Sequence, residues 1–344
     1  MRTLLIAILS LCICSCGADS GRNRNCAVIS EKDIDSGKIV PFDSLFQLSK
    51  SLIINESQRE VLGDIRDVFF GEDFLYILDY ASTISQINLE TGAIVKQVCS
   101  LGRGPIDYIQ PVCLTGDSCN VYLLDLQGGC ILKYDLDLNF VSRVAITTNA
   151  LDFIKMDDGF LLYCLTGKDT FGFKRIKEDG TVVACYNGTG RMVDSMTGVE
   201  LIFKNTQGNI FCQDPYGDVI YKIDKKGLTD YLYVDFNRKK IGKKKPTSAL
   251  FETGSYVFGA MSIDDKVILT IVKDDNMFFV YCSEGNVRAI VKSDREQNRF
   301  FYPKWQYKGK IVSIDYPTFD DSIECISCMD NLQYIFHFYE LKQK

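Results

Sequence analysis

The sequence predicts an all-β fold, a six-bladed β-propeller with four-stranded blades that is closed by an N-terminal strand. Three observations predict it. Strand patterns recur with a period of about 47 residues. Short apolar segments bounded by Gly, Asp and Asn run through the chain. A spare strand precedes the first repeat. With 344 residues, 46% of them hydrophobic, the chain is long enough to bury a large core.

The first 15 residues are typical of a signal peptide. Arg2 is followed by an apolar run over residues 4–14, which is too short for a membrane-spanning helix of about 20 residues. The tripeptide before Cys16 resembles a bacterial lipobox, which implies cleavage at that point and lipidation of the Cys16 thiol. We therefore expect a signal peptide at 1–15 and a flexible polar tether at 16–39. The alternative is an ordinary secretory peptide with incidental cysteines.

Six anchor strands set the repeat, and each is followed by a partner strand. The anchors span residues 74–79, 120–125, 159–164, 209–214, 266–271 and 310–315. A repeat of about 47 residues fits four short strands with their turns, which is one propeller blade. The strands expected to line the channel are 64–69, 109–114, 151–155, 201–204, 256–260 and 303–306. The propeller domain is predicted to span residues 40–344.

The N-terminal strand supplies the ring closure. Residues 46–54 form a strand that belongs to no repeat, and the last repeat ends after its third strand. Pairing the two completes the sixth blade and removes two open sheet edges. Four anchors end in Asp (Asp79, Asp125, Asp214 and Asp315), which we interpret as caps of the following turns rather than as a ring of acids.

Charge and motifs exclude several functions. The chain carries 39 Lys+Arg against 45 Asp+Glu, a balance that argues against a nucleic-acid binder. It has one histidine, His337, which leaves little scope for a zinc site or a histidine base. The nucleophile elbow, the P-loop and the dinucleotide fingerprint do not occur. A basic block at 238–245 is either a solvated loop or a polyanion site.

The 14 cysteines show no disulfide framework. Most lie inside apolar strand patterns, which is typical of small buried side chains. Cys325 and Cys328 form a CxxC pair, but on a strand these two side chains point to opposite faces. A metal or redox role is therefore not predicted.

A short segment carries a family resemblance. Leu101-Gly102-Arg103-Gly104-Pro105-Ile106-Asp107-Tyr108 resembles the Gly-Lys/Arg-Gly-Pro-x-Glu-Tyr signature of six-bladed β-propeller lipoproteins of Gram-negative gut bacteria, which are similar in architecture to NHL-repeat propellers. The resemblance covers about residues 40–342, with Asp107 in place of Glu and Ile106 in place of a second Gly. It implies an exported propeller that is lipid-anchored in the cell envelope, at the outer membrane.

The same segment supplies the candidate ligand-binding residues Arg103, Asp107 and Tyr108. Gly102 and Gly104 permit a tight crossover between two blades, which would place these side chains near the mouth of the central channel. They are candidates for binding a ligand. Alternatively, Arg103 and Asp107 form an ion pair that locks the adjacent blades.

The predicted function is that of a non-catalytic binding or scaffold module. Its partners would be the membrane, through the anchor, and an unknown protein or glycan ligand, but no nucleic acid. No catalytic residue, metal ligand or cofactor is assigned, and a cation in the channel is left open. The alternative is a channel-sited hydrolase or lyase acting on a carbohydrate-related or lactone-like substrate. Three or more convergent carboxylates or amides would favour the enzyme, and an aromatic plug would favour the scaffold.

Overall fold

The structure of the chain is a computed structural model. It describes residues 26–56, 61–166, 171–187, 201–213, 218–224, 227–236, 255–263, 266–273, 276–292, 303–315 and 333–342. Six sheets form a ring of blades, so the predicted six-bladed β-propeller is confirmed.

The elements follow the chain in a simple order. The N-terminal segment contains β1 (Ala27–Ser30), α1 (Glu31–Asp35), α2 (Phe42–Leu45) and β2 (Phe46–Ile53). Blade 1 contains β3 (Ile65–Phe70), β4 (Phe74–Asp79), β5 (Ile84–Asn88) and β6 (Ile94–Val98). Blade 2 contains β7 (Pro111–Gly116), β8 (Asn120–Asp125), β9 (Cys130–Asp135) and β10 (Phe140–Ala145). Blade 3 contains β11 (Ala150–Met156), β12 (Gly159–Leu165), β13 (Phe171–Lys177) and β14 (Val182–Asn187).

The second half of the ring repeats this order. Blade 4 contains β15 (Ile202–Lys204), β16 (Ile210–Gln213), β17 (Val219–Asp224) and β18 (Gly227–Asp235). Blade 5 contains β19 (Ser255–Ile263), β20 (Lys266–Lys273), β21 (Asn276–Ser283) and β22 (Asn286–Lys292). Blade 6 contains β23 (Trp305–Tyr307), β24 (Lys310–Asp315), β25 (Ile335–Leu341) and, as its outer strand, β2. The first strands of blades 1, 2, 3, 4 and 6 line the channel cavity, close to where the sequence predicts them.

The core lies between the blades. The second strands β4 and β8 are buried over five consecutive residues, because neighbouring blades cover both of their faces. Six hydrophobic clusters occupy the six junctions between adjacent blades. Five described cysteines are buried as small apolar side chains, as expected: Cys113, Cys130, Cys164, Cys212 and Cys282.

The ring closes as predicted, by pairing of β2 with β25. A bulge interrupts the register between Leu48 and Lys50, so that Ser51 lies opposite His337 and Leu52 opposite Phe336. Because one extra residue reverses which side chains face the core, the bulge directs Leu52 into the cluster between blades 6 and 1.

The segment before β2 is folded, which corrects the expectation of a flexible tether up to residue 39. Strand β1 pairs in parallel with β18, the outer strand of blade 4. Ser30 caps α1 through a capping box with Asp33. Val40 then donates its backbone N–H to the Ile290 carbonyl at 2.9 Å, on the outer strand of blade 5. Backbone pairing of this kind tolerates a polar sequence, so composition alone did not reveal it.

We call residues 26–45 the edge strap. It covers the outer edges of blades 4 and 5 before the chain enters blade 6. Ile29 and Ile34 are buried in the cluster between blades 4 and 5, and Val40 and Leu45 in the cluster between blades 5 and 6.

Two of the four anchor acids act as turn caps, as interpreted from the sequence. Asp79 accepts hydrogen bonds from the N–H groups of Gly63 and Thr83, and Asp125 accepts from those of Gln110 and Gly128, among others. Asp315 instead contacts His337.

Several predictions concern residues outside the described ranges. They are the signal peptide with Cys16, the anchor end Asp214, the basic block at 238–245 and the CxxC pair. Within the described part of the chain, no helix is both long and apolar enough to cross a membrane.

Candidate functional site

Tyr108 is a structural residue in the described geometry. Its side chain is fully buried between blades 1 and 2. The hydroxyl donates to the Ser82 carbonyl at 2.7 Å and accepts from the Ser100 N–H at 3.0 Å. Burial raises the pKa of the phenol. Through these contacts, Tyr108 links the turn between β4 and β5 to the segment that follows β6, the outer strand of blade 1.

Asp107 bonds to its own loop. One carboxylate oxygen accepts the Gly104 N–H at 2.7 Å. A Cβ added at Gly102 would lie 2.3 Å from the same oxygen, so the carboxylate occupies the space that the glycine leaves. The Asp107 carbonyl accepts from Arg143, on the outer strand of blade 2, at 3.0 Å.

Arg103 is exposed and forms no ion pair with Asp107 in the described structure. The expected lock between the two charges is therefore wrong, because Asp107 turns back onto the Gly104 N–H. The loop also lies beside the outer strands β6 and β10, through contacts to Val98 and Arg143, rather than at the channel mouth.

The channel itself contains a polar cluster that the sequence did not single out. A cavity of about 260 Å³ is lined by inner strands of five blades. Asp67, Cys113 and Asp152 lie in it, each directly after a register shift in β3, β7 and β11. They therefore occupy equivalent positions in blades 1, 2 and 3. The shared signal is an Asp or Cys at the third position of each inner strand.

Both carboxylates accept hydrogen bonds from backbone groups at the following blade. Asp67 accepts the Leu114 N–H of blade 2 at 2.6 Å. Asp152 accepts the N–H groups of Leu201 and Ile202, which lead into blade 4, at 2.9 and 3.2 Å. The Cys113 thiol completes the chain by donating to Asp152 at 3.3 Å.

Burial perturbs all three groups, although Asp67 and Asp152 keep partial access to the channel. It raises the pKa of Asp67 above its usual value. Burial, followed by the nearby charge of Asp67, raises the pKa of Asp152 to about 6. The Cys113 thiol has a pKa well above normal because it is buried between two carboxylates, and a thiol of this kind is a poor nucleophile.

Aromatic and basic side chains form much of the remaining lining or contact it directly. Trp305 is buried, and the ammonium of Lys304 lies 4.6 Å from the centre of its ring. Lys155 is buried and pairs with Glu178 at 2.9 Å. Phe70 packs against Tyr307 with ring centres 5.4 Å apart. The channel thus combines two engaged carboxylates with an aromatic wall.

The arrangement offers acceptors but no preformed metal centre. Across the described ranges, no three His, Cys, Asp or Glu side chains are grouped so that they could hold a metal ion. The carboxylate oxygens of Asp67 and Asp152 chiefly hold neighbouring blades together. The described channel therefore resembles the aromatic plug expected of a scaffold more than the three convergent carboxylates expected of an enzyme.

Comparison with known proteins supports the fold. A protein of Bacteroides fragilis described as exported is 16% identical, with 92% of this chain and 99% of that chain covered and a TM-score of 0.69. A member of the DUF4221 family from Bacteroides vulgatus is 12% identical, with 88% and 99% covered and a TM-score of 0.57. No protein of curated function matches the chain. Residues 54–343 match the family described as a domain of unknown function, DUF4934, and the chain therefore belongs to that family.

Proposed function

We propose that this chain is an exported, lipid-anchored propeller of the cell envelope, a binding or scaffold module whose channel is non-catalytic. The observation that carries the proposal is the bonding of Asp67 and Asp152, whose oxygens accept backbone N–H groups of neighbouring inner strands. A carboxylate that accepts such bonds is fixed in position between two blades, which suits a fixed ring more than proton transfer.

The location rests on two separate supports. The sequence around Cys16 resembles a lipobox, and a protein with the same fold is described as exported. Acyl chains on Cys16, each CH₂ contributing about 0.8 kcal/mol when buried, would hold the propeller at a membrane surface. Ligands on this proposal are proteins or glycans of the envelope, and the outer membrane is the proposed site.

The anchor is tested by metabolic labelling with an alkyne analogue of palmitate in a Gram-negative host. The wild-type chain should carry the label and sediment with membranes, and Cys16→Ala should do neither. Cys26→Ala is the matched control and should behave as wild type. An unlabelled wild-type chain would overturn the anchor.

The role of the channel is tested on the purified chain beginning at residue 26. We expect retention on at least one immobilised envelope glycan or outer-membrane protein fraction, with no release of product. Asp152→Asn should retain that binding while lowering stability.

One observation favours the alternative function of a hydrolase or lyase in the channel. Asp152, with a pKa of about 6 beside a cavity of about 260 Å³, has the properties of a general acid or base. A panel of lactones and glycans is the test of this hydrolase or lyase. Turnover that folded Asp152→Asn abolishes would replace the scaffold with the enzyme.

A further inference from the structure

The only histidine of the chain lies in a hydrogen-bonded relay on blade 6. The Nε2 atom of His337 is 2.9 Å from the Asp315 carboxylate, and its Nδ1 atom is 2.9 Å from the Ser51 hydroxyl. The three residues come from the adjacent strands β24, β25 and β2, on one face of the sheet. None of them belongs to the channel or to the 101–108 loop.

The hydrogen-bond partners let us assign a tautomer of His337, since a carboxylate oxygen accepts a hydrogen bond. A proton on Nε2 is donated to Asp315, which leaves Nδ1 as the acceptor for the Ser51 hydroxyl. This is the order of roles in a serine hydrolase, in which an acid orients a histidine and the histidine takes the proton of the serine. The two nitrogens are exchanged relative to the usual arrangement, but the connectivity is the same.

The bulge in β2 creates the arrangement. If Ser49 instead paired regularly with Phe338, Lys50 would lie opposite His337 and Ser51 opposite Phe336. Ser51 is exposed, whereas the His337 side chain is only 17% exposed. A partly shielded base beside an accessible hydroxyl is the combination that a nucleophilic serine needs.

Two apolar side chains lie on the face of blade 6 that carries His337 and Ser51. Leu48 is 50% exposed and pairs directly with Tyr339, on the same face as His337. The Tyr339 ring centre is 6.2 Å from the imidazole centre. This surface fits a short acyl group better than a charged one.

We propose that Ser51, His337 and Asp315 form an acyl-transfer site for small carboxylic esters. The Ser51 oxygen attacks the carbonyl carbon as its proton passes to His337 Nδ1. The C–O bond to the alcohol breaks, and the alcohol leaves with that proton. Water then attacks the acyl-serine, gives a proton to Nδ1, and releases the carboxylic acid as the proton returns to Ser51.

This activity goes beyond the proposed function and is separable from it. The site lies on blade 6, away from Asp67 and Asp152, so its loss should leave ligand binding and anchoring unchanged. Asp315 is a positioning residue, because it acts on the ester only through His337.

The test uses a fluorophosphonate probe and p-nitrophenyl acetate on the purified chain beginning at residue 26. Wild type should be labelled and Ser51→Ala should not. Ser49→Ala is the matched control: Ser49 lies two residues away on β2 and donates to the Phe338 carbonyl instead of contacting His337, so this variant should label as wild type. His337→Gln should lower the labelling rate by about 100-fold, the lower range for a lost general base. Asp315→Asn should lower kcat for p-nitrophenyl acetate with KM unchanged, since Asp315 orients the imidazole without contacting the ester.

Thermal midpoints of all variants, with a heat-unfolded sample as blank, separate loss of chemistry from loss of fold. A wild-type chain that stays unlabelled overturns the proposal. Labelling of Ser51→Ala at the wild-type rate, or equal labelling of the unfolded sample, overturns it as well.

Discussion

The Asp67 carboxylate of blade 1 accepts the backbone N–H of Leu114 in blade 2 at 2.6 Å. Asp152 of blade 3 does the same for Leu201 and Ile202. These bonds run across the blade junctions near the channel axis, where the strands of neighbouring blades do not pair with one another. The inner ring is therefore held by side chains, and its stability depends on single residues.

Asp152→Asn should destabilise the fold by about 1–3 kcal/mol. The amide has one acceptor oxygen instead of two, so some of the N–H groups that bond to Asp152, such as those of Leu201 and Ile202, lose their acceptor. Urea unfolding measures the loss. Asp158→Asn, in the same blade and 59% exposed in its pair with Arg175, is the control and should cost at most about 1 kcal/mol. Equal losses in the two variants would contradict the role of Asp152.

The stability difference between wild type and Asp152→Asn should depend on pH. The pKa of Asp152 is about 6 in the fold, against 3.8 for an ordinary aspartate. Between those values the folded chain binds more protons than the unfolded chain, so the unfolding free energy of wild type falls as pH rises through this window. Relative to the variant, wild type should weaken from about pH 4 to about pH 6 and then level off. A difference that is constant with pH would contradict this.

Gly92→Ala should disturb ring closure. Gly92 has φ +72°, and an added Cβ would lie 1.9 Å from the Ile53 carbonyl oxygen of β2. Gly208→Ala is the control, with φ +80° but its nearest atom 3.6 Å away. Both variants should lose about 1–2 kcal/mol of unfolding free energy because alanine must adopt a left-handed backbone. Gly92→Ala should lose about 1–3 kcal/mol more because of the clash. Equal midpoints in urea would mean that β2 yields without cost.

Within the 101–108 segment, stability should follow burial and not charge. Tyr108→Phe strands the Ser100 N–H and the Ser82 carbonyl and should cost about 1–3 kcal/mol. Arg103→Ala should change the unfolding free energy by no more than about 0.5 kcal/mol. A double-mutant cycle of Arg103 and Asp107 should give a coupling in unfolding free energy near zero. A clear coupling would show that the two side chains form an ion pair after all.

Two truncations separate the edge strap from the closing strand. A chain beginning at residue 42 loses Ile29, Ile34 and Val40, each worth about 1.5–3 kcal/mol when fully buried, but keeps β2. A chain beginning at residue 56 also loses β2 and leaves two sheet edges open. We expect the thermal midpoint to fall in the first and to fall much further in the second. Equal midpoints would place the closure elsewhere.

Features of the fold that depend on local sequence patterns could be predicted from the sequence. The anchor strands and the spare strand at 46–54 carry their own alternation and turn residues, so blade number and closure could be read from them. The Ser51–His337 contact could not, because the two residues are 286 positions apart and a bulge sets their register. Arg103 and Asp107 are close in sequence, but the direction of a carboxylate depends on which N–H groups the loop presents.

The closing strand also has a consequence for the order of folding. Ser49 and Phe338 bond across 289 residues, so β2 leaves the ribosome long before its partner exists. Until β25 is made, β2 carries an unpaired edge, and joining such distant segments slows folding. A circular permutant that links residue 344 to residue 46 and opens the chain between blades 1 and 2 would make blade 6 continuous. It should refold faster than a chain in the natural order that begins at residue 46 and so lacks the edge strap as well.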